Sequence, residues 1–418
     1  MKAVQTRIRA LVESGQLGPF AHGYWGHPAM KLPPEVNLLA VAHYLQALEY
    51  QRYATQALAI LGGKTPHVQN LTVGGVANAI NLNSTATLNL DRLYQFKSLI
   101  DKVVPFIQQV YFPDVCAVAA FYPEWFGFGA GVTNYLSVPD LPIDAAGTKY
   151  QSPGGVIRNG ELASYRNISG PNDPLWRNGV MEDTTHAYYK TSQLHPFKGE
   201  TEPEVTEFQD EGKYSWVKGP RFEGKPMQVG PLANVLSGLA AGDPLVTKYA
   251  TKALETVSSI AKIKAGPEVL HSTLGRHAAR AIRANVLAEI ATSNWQMLVD
   301  NILGGDSTTF NTPSFPKGTV EGVGFHEAPR GALSHWVVLK NGKIENYQAV
   351  VPTTWNASPR DGNEVPGPYE SALLRNPVAQ TEHPLEVIRT IHSFDPCMAC
   401  AVHTFDPDGN EASIVKVL

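Results

Sequence analysis

The residues best suited to chemistry lie close together near the C-terminus of this 418-residue sequence. Between Asp395 and His403, Cys397 and Cys400 form a C-x-x-C pair, and the histidine follows three residues later. Thiolates and imidazoles are soft and borderline metal ligands. Two cysteines at this spacing converge on one ion when the chain turns tightly, as Pro396 favours. The spacing therefore predicts a metal-binding or redox-active segment.

Three interpretations of the cysteine pair stay open on the residues alone. A structural zinc site needs four protein ligands, but the third cysteine, Cys116, lies in an apolar run, 115–120, that is typical of a buried strand. Histidines would have to complete such a site. A thioredoxin-like redox pair normally opens a helix after a strand, and the sequence before Cys397 lacks that context. The third interpretation is two core cysteines placed together by chance.

Three apolar patterns with helical spacing predict the elements that must position this segment. Apolar residues recur mostly at three and four from Pro34 to Leu61, from Leu93 to Val110 with an end at Pro113, and from about Gly275 to Leu303. Glycine pairs follow the first and third patterns, as expected at helix ends. Three long amphipathic helices indicate a bundle core.

Residues 127–231 have a different character, because short β-prone pieces alternate with many Gly, Pro, Asp and Asn residues. The pieces are Val156–Ile157, Tyr188–Tyr189 and Tyr214–Val217. They predict a loop-rich β subdomain.

A hairpin is expected further along the chain. Asn341-Gly342 favours the positive φ angles of a two-residue type I′ turn, between a strand at 336–339 and a return strand from Ile344 into 349–352. The fold class that follows is helix-dominated α+β, with a long-helix bundle core and a loop-rich β subdomain.

Composition excludes several classes of protein. With 43% hydrophobic residues, 17% charged residues and 3 cysteines, the chain is neither disordered nor a disulfide scaffold. A net charge of -4 provides no basic field for nucleic acid or an anionic membrane. No run reaches about 18 consecutive apolar residues, and Met1–Arg9 lacks the apolar core of a secretory signal. We therefore expect no membrane span and no signal peptide of its own.

The run Ile388–Cys397, with Cys400 and His403, closely resembles the C-terminal signature of the large subunit of nickel-iron hydrogenases. Four other stretches resemble family segments in family order: 35–51, 74–76, 327–331 and 346–361. The resemblance spans nearly the whole chain and is greatest to the membrane-bound, respiratory uptake group. It implies the hydrogenase large-subunit fold and a nickel-dependent enzyme that oxidises H₂ to protons and electrons.

The resemblance also implies a set of metal ligands. Cys397 corresponds to a terminal nickel ligand, and Cys400 to a thiolate that bridges nickel and an iron carrying cyanide and carbon monoxide. Cys397 is also the expected first base when hydrogen is split. His403 resembles a histidine that binds a separate magnesium or iron ion together with a backbone carbonyl, here that of Ala349.

Other site residues follow from the same resemblance. Arg330 matches the arginine above the open face of the metals, where we expect an electrostatic role because a guanidinium does not give up its proton at neutral pH. Asp395 resembles the carboxylate that pairs with this arginine. Pro329, Pro352 and Thr353 match residues around the diatomic ligands of the iron, and the threonine could donate a hydrogen bond to a cyanide.

The sequence departs from the family pattern in two places. The matching region begins at about Val4, downstream of the family's first C-x-x-C, so two nickel ligands, an acidic proton-relay residue and a third magnesium ligand are missing. We therefore expect a truncated chain. Residues 404–418 resemble the extension that a maturation endopeptidase removes after the histidine at 403, so we expect an unprocessed precursor without activity alone.

The resemblance implies several partners: an iron-sulfur small subunit, the maturation endopeptidase, nickel-insertion proteins and the substrate H₂. It also implies export with the small subunit to the periplasmic side of the membrane, with the precursor in the cytoplasm. The predicted divisions are a helical part (1–126), the β subdomain (127–231), a helical and hairpin part with the metal motif (232–403), and the extension (404–418). Two alternatives are a non-catalytic scaffold homologue and a zinc-binding interaction protein.

Overall fold

The structure is a computed structural model that describes residues 2–17, 20–21, 23–190, 194–199, 201–207, 212–397, 401–405 and 411–416, the last two stretches by their backbone only. The chain forms two compact units, each built from separated stretches. The first comprises Met1–His22, Leu32–Val118 and Ala281–Phe315, and the second Gly23–Lys31, Ala119–Arg280 and Pro316–Leu418. The contiguous divisions proposed from the sequence stay a prediction.

Helices account for most of the regular structure described. They are α1 (Lys2–Glu13), α2 (Pro34–Gly62), α3 (Leu90–Phe106), α4 (Phe112–Ala120), α5 (Pro174–Gly179), α6 (Pro231–Ala240), α7 (Pro244–Ala261), α8 (Thr273–Leu303), α9 (Pro352–Asn356), α10 (Pro368–Leu373) and α11 (Leu385–Ser393). The helix-dominated α+β class predicted from the sequence is confirmed.

The predicted long helices form the first unit. α2 begins at a proline, whose missing N–H is not needed there, and is followed by Gly63 with φ 79°. α8 closes on Gly304-Gly305, as the glycine pair predicts. In Ala281–Leu303, the part of α8 that belongs to this unit, Trp295 donates a hydrogen bond from Nε1 to the Leu93 carbonyl of α3, at 3.1 Å.

The predicted end of the second helix at Pro113 is wrong. α3 continues through a π-helical turn, Ile107–Tyr111, directly into α4. The N–H of Phe112 donates a hydrogen bond to the carbonyl of Ile107, five residues earlier, so this turn is wider than an α-helical one. Pro113 therefore lies at the start of a new helical segment, α4. The missing N–H of Pro113 is tolerated there, as in the first turn of any helix.

Cys116 lies in α4 and not in the predicted strand, although it is buried as expected, with 2% of its surface exposed. Short apolar runs fit a buried strand and a buried helix equally, and the continuous helix decides between them. By length and composition alone, the run Leu90–Ala120 could cross a membrane, a test that core helices of soluble proteins also meet. The expected absence of a membrane span stays a prediction.

The strands are short apart from one hairpin sheet. They are β1 (Leu71–Thr72), β2 (Gly75–Val76), β3 (Tyr135–Ser137), β4 (Asp140–Pro142), β5 (Tyr150–Ser152), β6 (Gly155–Ile157), β7 (Arg166–Asn167), β8 (Val180–Glu182), β9 (Pro220–Phe222), β10 (Thr319–Ala328), β11 (Gly331–Lys340), β12 (Lys343–Val350), β13 (Ala401–Phe405) and β14 (Glu411–Lys416). Val156–Ile157 is a strand as predicted. The two tyrosine-containing pieces form only isolated bridges, through Tyr189 and Ser215, because each pairs at a single position.

The sheet β10-β11-β12 is antiparallel and carries the site. Its second turn is the predicted one, because Asn341 (φ 52°) and Gly342 (φ 77°) connect the paired residues Lys340 and Lys343. β11 is anchored in the core of the second unit by the fully buried Trp336, which stacks on Trp176 with ring centroids 6.0 Å apart.

Candidate metal centre at the tip of a hairpin

Arg330 occupies the tip of the β10-β11 hairpin. Ala328 pairs with Gly331, which leaves Pro329 and Arg330 as the two-residue connection. Gly331 has φ 124°, and a Cβ added to it would stand 2.4 Å from the backbone nitrogen of Gly230. Only glycine permits this close approach, so the sequence Pro-Arg-Gly holds the arginine at a fixed place against α6.

Asp395 orients the guanidinium of Arg330. Nε of the arginine donates to the backbone carbonyl of Asp395 at 2.8 Å, and Nη2 donates to its Oδ1 at 3.2 Å. Asp395 stands just beyond α11 in the left-handed conformation, with φ 57°, and its N–H bonds the carbonyl of His392. Aspartate tolerates this conformation better than most residues. The chain therefore turns sharply before Pro396 and Cys397.

Cys397 is held beside α9. Its backbone N–H donates to Oγ1 of Thr353 at 3.3 Å. Thr353 is buried in the first turn of α9, which begins at Pro352. Cys397 itself is exposed and carries a free thiol. The first cysteine of the C-x-x-C pair is thus placed by its main chain, while its thiol is accessible.

These residues surround one cavity of about 320 Å³. Its walls are formed by Val217, Ala328, Pro329, Arg330, Val351, Pro352, Thr353, Thr354 and Cys397. The lining thus includes one arginine, two threonines and one cysteine, and its other residues are apolar. Apolar walls exclude water and strengthen the field of the guanidinium on any charge inside.

The donor set favours a soft metal group with anionic ligands. Thiolate is the soft donor, while the guanidinium and hydroxyls can donate hydrogen bonds to anions bound on a metal. Among the residues that the structure describes, no three His, Cys, Asp or Glu side chains form a metal-binding group. A four-ligand zinc site would need such a group. Cys400 lies outside the described residues.

A family model described as nickel-dependent hydrogenase matches residues 1–403. The chain belongs to this family. It is 54% identical over 417 residues to the hydrogenase-2 large chain of Escherichia coli, covering 99% of this chain and 74% of that protein. The uptake hydrogenase large subunit of Bradyrhizobium diazoefficiens is 42% identical over 446 residues, covering 100% of this chain and 73% of that subunit.

Solved structures agree with this assignment for the hydrogenase chain. The Ni-Fe-Se hydrogenase of Desulfovibrio vulgaris Hildenborough in its reduced state has 30% identity and a TM-score of 0.74, covering 88% of this chain and 71% of that one. A G491S variant from the same organism has 30% identity and a TM-score of 0.77, covering 92% of this chain and 74% of that one. The predicted nickel-iron hydrogenase large-subunit fold is confirmed, and the family supports a Ni–Fe centre.

The nine predicted site residues of this hydrogenase have different positions. Five line the cavity: Pro329, Arg330, Pro352, Thr353 and Cys397. Asp395 contacts the arginine, as predicted. Ala349 lies on β12 opposite His335 and is not a lining residue. The backbone of His403 lies on β13, opposite Ile414 of β14, and its side chain is outside the described residues, as is Cys400.

Four lining residues were not predicted. Ala328, Val351 and Thr354 lie inside the family-like stretches 327–331 and 346–361, next to predicted site residues, so those stretches could have indicated them. Val217 lies on a loop that is distant in sequence from the other lining residues, and its sequence surroundings did not indicate a place in the site.

Arg221 was also missed. It is 2% exposed and donates to Oγ of Ser358 at 3.0 Å and to the Pro359 carbonyl at 2.6 Å, which fixes the segment after α9. Burial lowers the pKa of this guanidinium, while Asp361 and Asp183 oppose the shift.

Proposed function

We propose that this hydrogenase chain oxidises H₂ to protons and electrons at the cavity between the β10-β11 tip and α9, and that the electrons pass to an iron-sulfur small subunit. The observation that carries the proposal is the convergence of Arg330, Thr353 and Cys397 on one cavity. These residues come from three separate segments of a chain whose family match extends from residue 1 to 403.

Each of these residues has a chemical task. The thiolate of Cys397 would hold the metal and would accept a proton, since thiolates are both soft ligands and bases. Arg330 stabilises negative charge that develops in the cavity and keeps its own proton. Asp395 orients the guanidinium through two hydrogen bonds. A bound Ni–Fe centre supplies the redox-active metals at which the H–H bond is polarised.

The diatomic ligands belong to the same proposal. Thr353 accepts a hydrogen bond from the N–H of Cys397, which leaves its own hydroxyl hydrogen for another acceptor, such as an iron-bound cyanide. Pro329 and Pro352 offer apolar wall without an N–H, which suits carbon monoxide.

Further ligands complete the proposed metal sites. Cys400 provides the second thiolate of the C-x-x-C pair. The sequence has 3 cysteines, and Cys116 is buried in α4, so the other two thiolates of a four-thiolate nickel site come from residues outside these 418. His403 and the carbonyl of Ala349 would hold the magnesium or iron ion.

We propose a cleavable extension at residues 404–418. Support comes from the family match, which ends at residue 403. A maturation endopeptidase and nickel-insertion proteins are the proposed partners. The proposed location is the periplasmic side of the membrane after export with the small subunit, and the cytoplasm before processing.

The test is to extend the chain by the segment that provides the other two thiolates, to coexpress it with a small subunit, nickel-insertion proteins and the maturation endopeptidase, and to purify the complex. Nickel content, infrared bands of cyanide and carbon monoxide, and H₂-dependent dye reduction are then measured. We expect nickel, both kinds of band and turnover in the matured complex. Zinc without nickel or infrared bands would support the zinc-binding alternative, and a metal-free complex would support the scaffold.

A further inference from the structure

Two arginines of α8 hold the residue that ends α11. Arg276 donates from Nε to Oγ of Ser393 at 2.7 Å, and Arg280 donates from Nη2 to the carbonyl of Ser393 at 3.0 Å. The arginines are one helical turn apart, so they share one face of α8. Ser393 is fully buried, and its hydroxyl donates to the Thr390 carbonyl at 2.6 Å, so its oxygen is oriented to accept from Arg276.

Arg276 also fixes the next residue, Phe394. Its guanidinium carbon lies 3.8 Å from the centroid of the Phe394 ring, and both side chains are 3% exposed. Burial lowers the pKa of Arg276 to about 9, which still leaves the guanidinium charged at neutral pH. A cation at the C-terminal end of α11 also opposes the negative end of the helix dipole.

A buried cation at this position needs a reason. Within the described part of the chain, Nη1 of Arg276 is buried without a hydrogen-bond partner, and Nη2 reaches only Thr273 Oγ1 at 3.5 Å. Burying a charge with incomplete hydrogen bonding is costly, and an apolar side chain would fill the space at less cost. The contacts that the guanidinium does make are concentrated on Ser393 and Phe394.

These contacts lie next to the catalytic segment in the chain. Ser393 and Phe394 directly precede Asp395, whose carbonyl accepts the hydrogen bond from Arg330. Asp395 has a left-handed backbone conformation, and Pro396 after it restricts the backbone that leads to Cys397. The end of α11 is thus held by α8 on one side and by the hairpin tip on the other, and a displacement of Ser393 would move Asp395 and Cys397 with it.

We propose that Arg276 and Arg280 are positioning residues that lock the end of α11, so that Asp395 meets Arg330 and Cys397 meets Thr353. The catalytic meaning of this lock rests on the proposed function, but the placement of Cys397 is measurable without any metal.

The first experiment measures alkylation of Cys397 by iodoacetamide in the metal-free full chain, followed by mass spectrometry and with Cys400→Ser as the background. We expect Arg276→Gln and Arg280→Gln to raise the alkylation rate about fivefold, because a released turn lets the accessible thiol leave the cavity wall and meet the reagent from more directions. Arg276→Lys keeps the charge and one donor, so it should restore most of the wild-type rate.

The matched control is Arg177→Gln. Arg177 also stands over a phenylalanine, with its guanidinium carbon 4.9 Å from the Phe197 ring, and it is remote from Asp395 in the chain. Arg177→Gln should leave the alkylation rate unchanged. Equal rates in wild type, Arg276→Gln, Arg280→Gln and the control would overturn the proposal. If Arg276→Gln does not fold, Arg280→Gln decides by the same comparison.

The second experiment uses the matured complex. We expect Arg280→Gln to retain nickel and the KM for H₂ while kcat falls about tenfold, as expected for a misplaced catalytic group, and Arg276→Lys to stay near wild type. An unchanged kcat with normal nickel would contradict the positioning role. A wild-type complex without nickel or turnover would instead overturn the proposed function, and the alkylation comparison would still decide whether the arginines place Cys397.

Discussion

The backbone N–H of Cys397 donates a hydrogen bond to Oγ1 of Thr353 at 3.3 Å, across 44 residues of sequence. The bond makes Thr353 a support for the cysteine main chain, in addition to the role toward a cyanide predicted from the sequence. One hydroxyl can serve both, because it accepts from Cys397 and donates its hydrogen elsewhere.

Replacing Thr353 by Val should therefore remove both interactions at nearly constant volume. We expect about a tenfold fall in H₂ oxidation, since a hydrogen bond contributes about 1 kcal/mol, together with a shift of the infrared cyanide bands. Thr353→Ser retains the hydroxyl and should stay within about twofold of wild type. Equal activities of the Val and Ser variants would show that the hydroxyl has no role.

Replacing Arg330 by Lys should lower H₂ oxidation by about 10²-fold, the usual effect of losing a preorganised charged donor. Lysine keeps the charge but lacks the planar fork that binds both the carbonyl and Oδ1 of Asp395. Turnover of the matured complex is the measurement. Arg166→Lys is the control, because Arg166 forms an exposed pair with Glu223. A variant as active as this control would contradict the role assigned to Arg330.

Gly331→Ala should destabilise the chain by more than about 2 kcal/mol, because an added Cβ meets the Gly230 backbone and φ is positive. Gly324 in the same strand pair has nothing within 4 Å of its added Cβ and no positive φ. Gly324→Ala should be neutral or stabilising by about 0.5 kcal/mol. Urea unfolding measures both, and equal stabilities would show that the hairpin tip tolerates movement.

Lowering the pH should reduce the stability of the folded chain through His271. Burial lowers its pKa below the usual 6.5, with Glu268 opposing the shift, and its Nδ1 lies 2.6 Å from the hydroxyl of the buried Tyr135. Nδ1 of the neutral ring can accept a hydrogen bond from this hydroxyl, whereas a ring protonated on both nitrogens could not. Since the unfolded chain binds the proton at higher pH than the folded chain, stability falls as the pH drops below about 6.5.

The measurement is the melting temperature between about pH 7 and pH 5. His271→Gln should reduce this dependence, because glutamine keeps an acceptor and does not titrate; burial also lowers the pKa values of His277 and His392, which contribute the rest. His67→Gln, at an exposed position, should leave the slope as in wild type. If the pH dependence of the melting temperature is the same in His271→Gln as in wild type, His271 does not contribute to the acid sensitivity.

Removing the extension should be necessary for activity. β13, which contains His403, pairs with β14 of the extension, with His403 opposite Ile414. We expect the uncut chain to be inactive even with nickel-maturation proteins present, and cleavage after His403 to restore H₂ oxidation. A chain ending at Lys416 keeps both strands and should stay inactive. Turnover by the uncut chain would contradict this prediction.

Local sequence was sufficient for several elements. α2 and α8 follow their apolar periods and end at glycine pairs, and Asn341-Gly342 forms the expected turn. The errors have physical reasons: the π turn before Pro113 accommodates a residue that usually ends a helix, and Cys116 lies in an apolar run that suits either kind of element.

The sequence by itself determined which groups are available: the cysteine pair, the Pro-Arg-Gly tip and the family to which the chain belongs. Such information lies in neighbouring residues, whose types and periods are fixed locally. Only the tertiary structure decided that Arg330 contacts Asp395, 65 residues away, and that Arg276 contacts Ser393, 117 residues away. These contacts depend on how the sheet and the helices pack, because packing is specified jointly by many distant side chains and by no single motif.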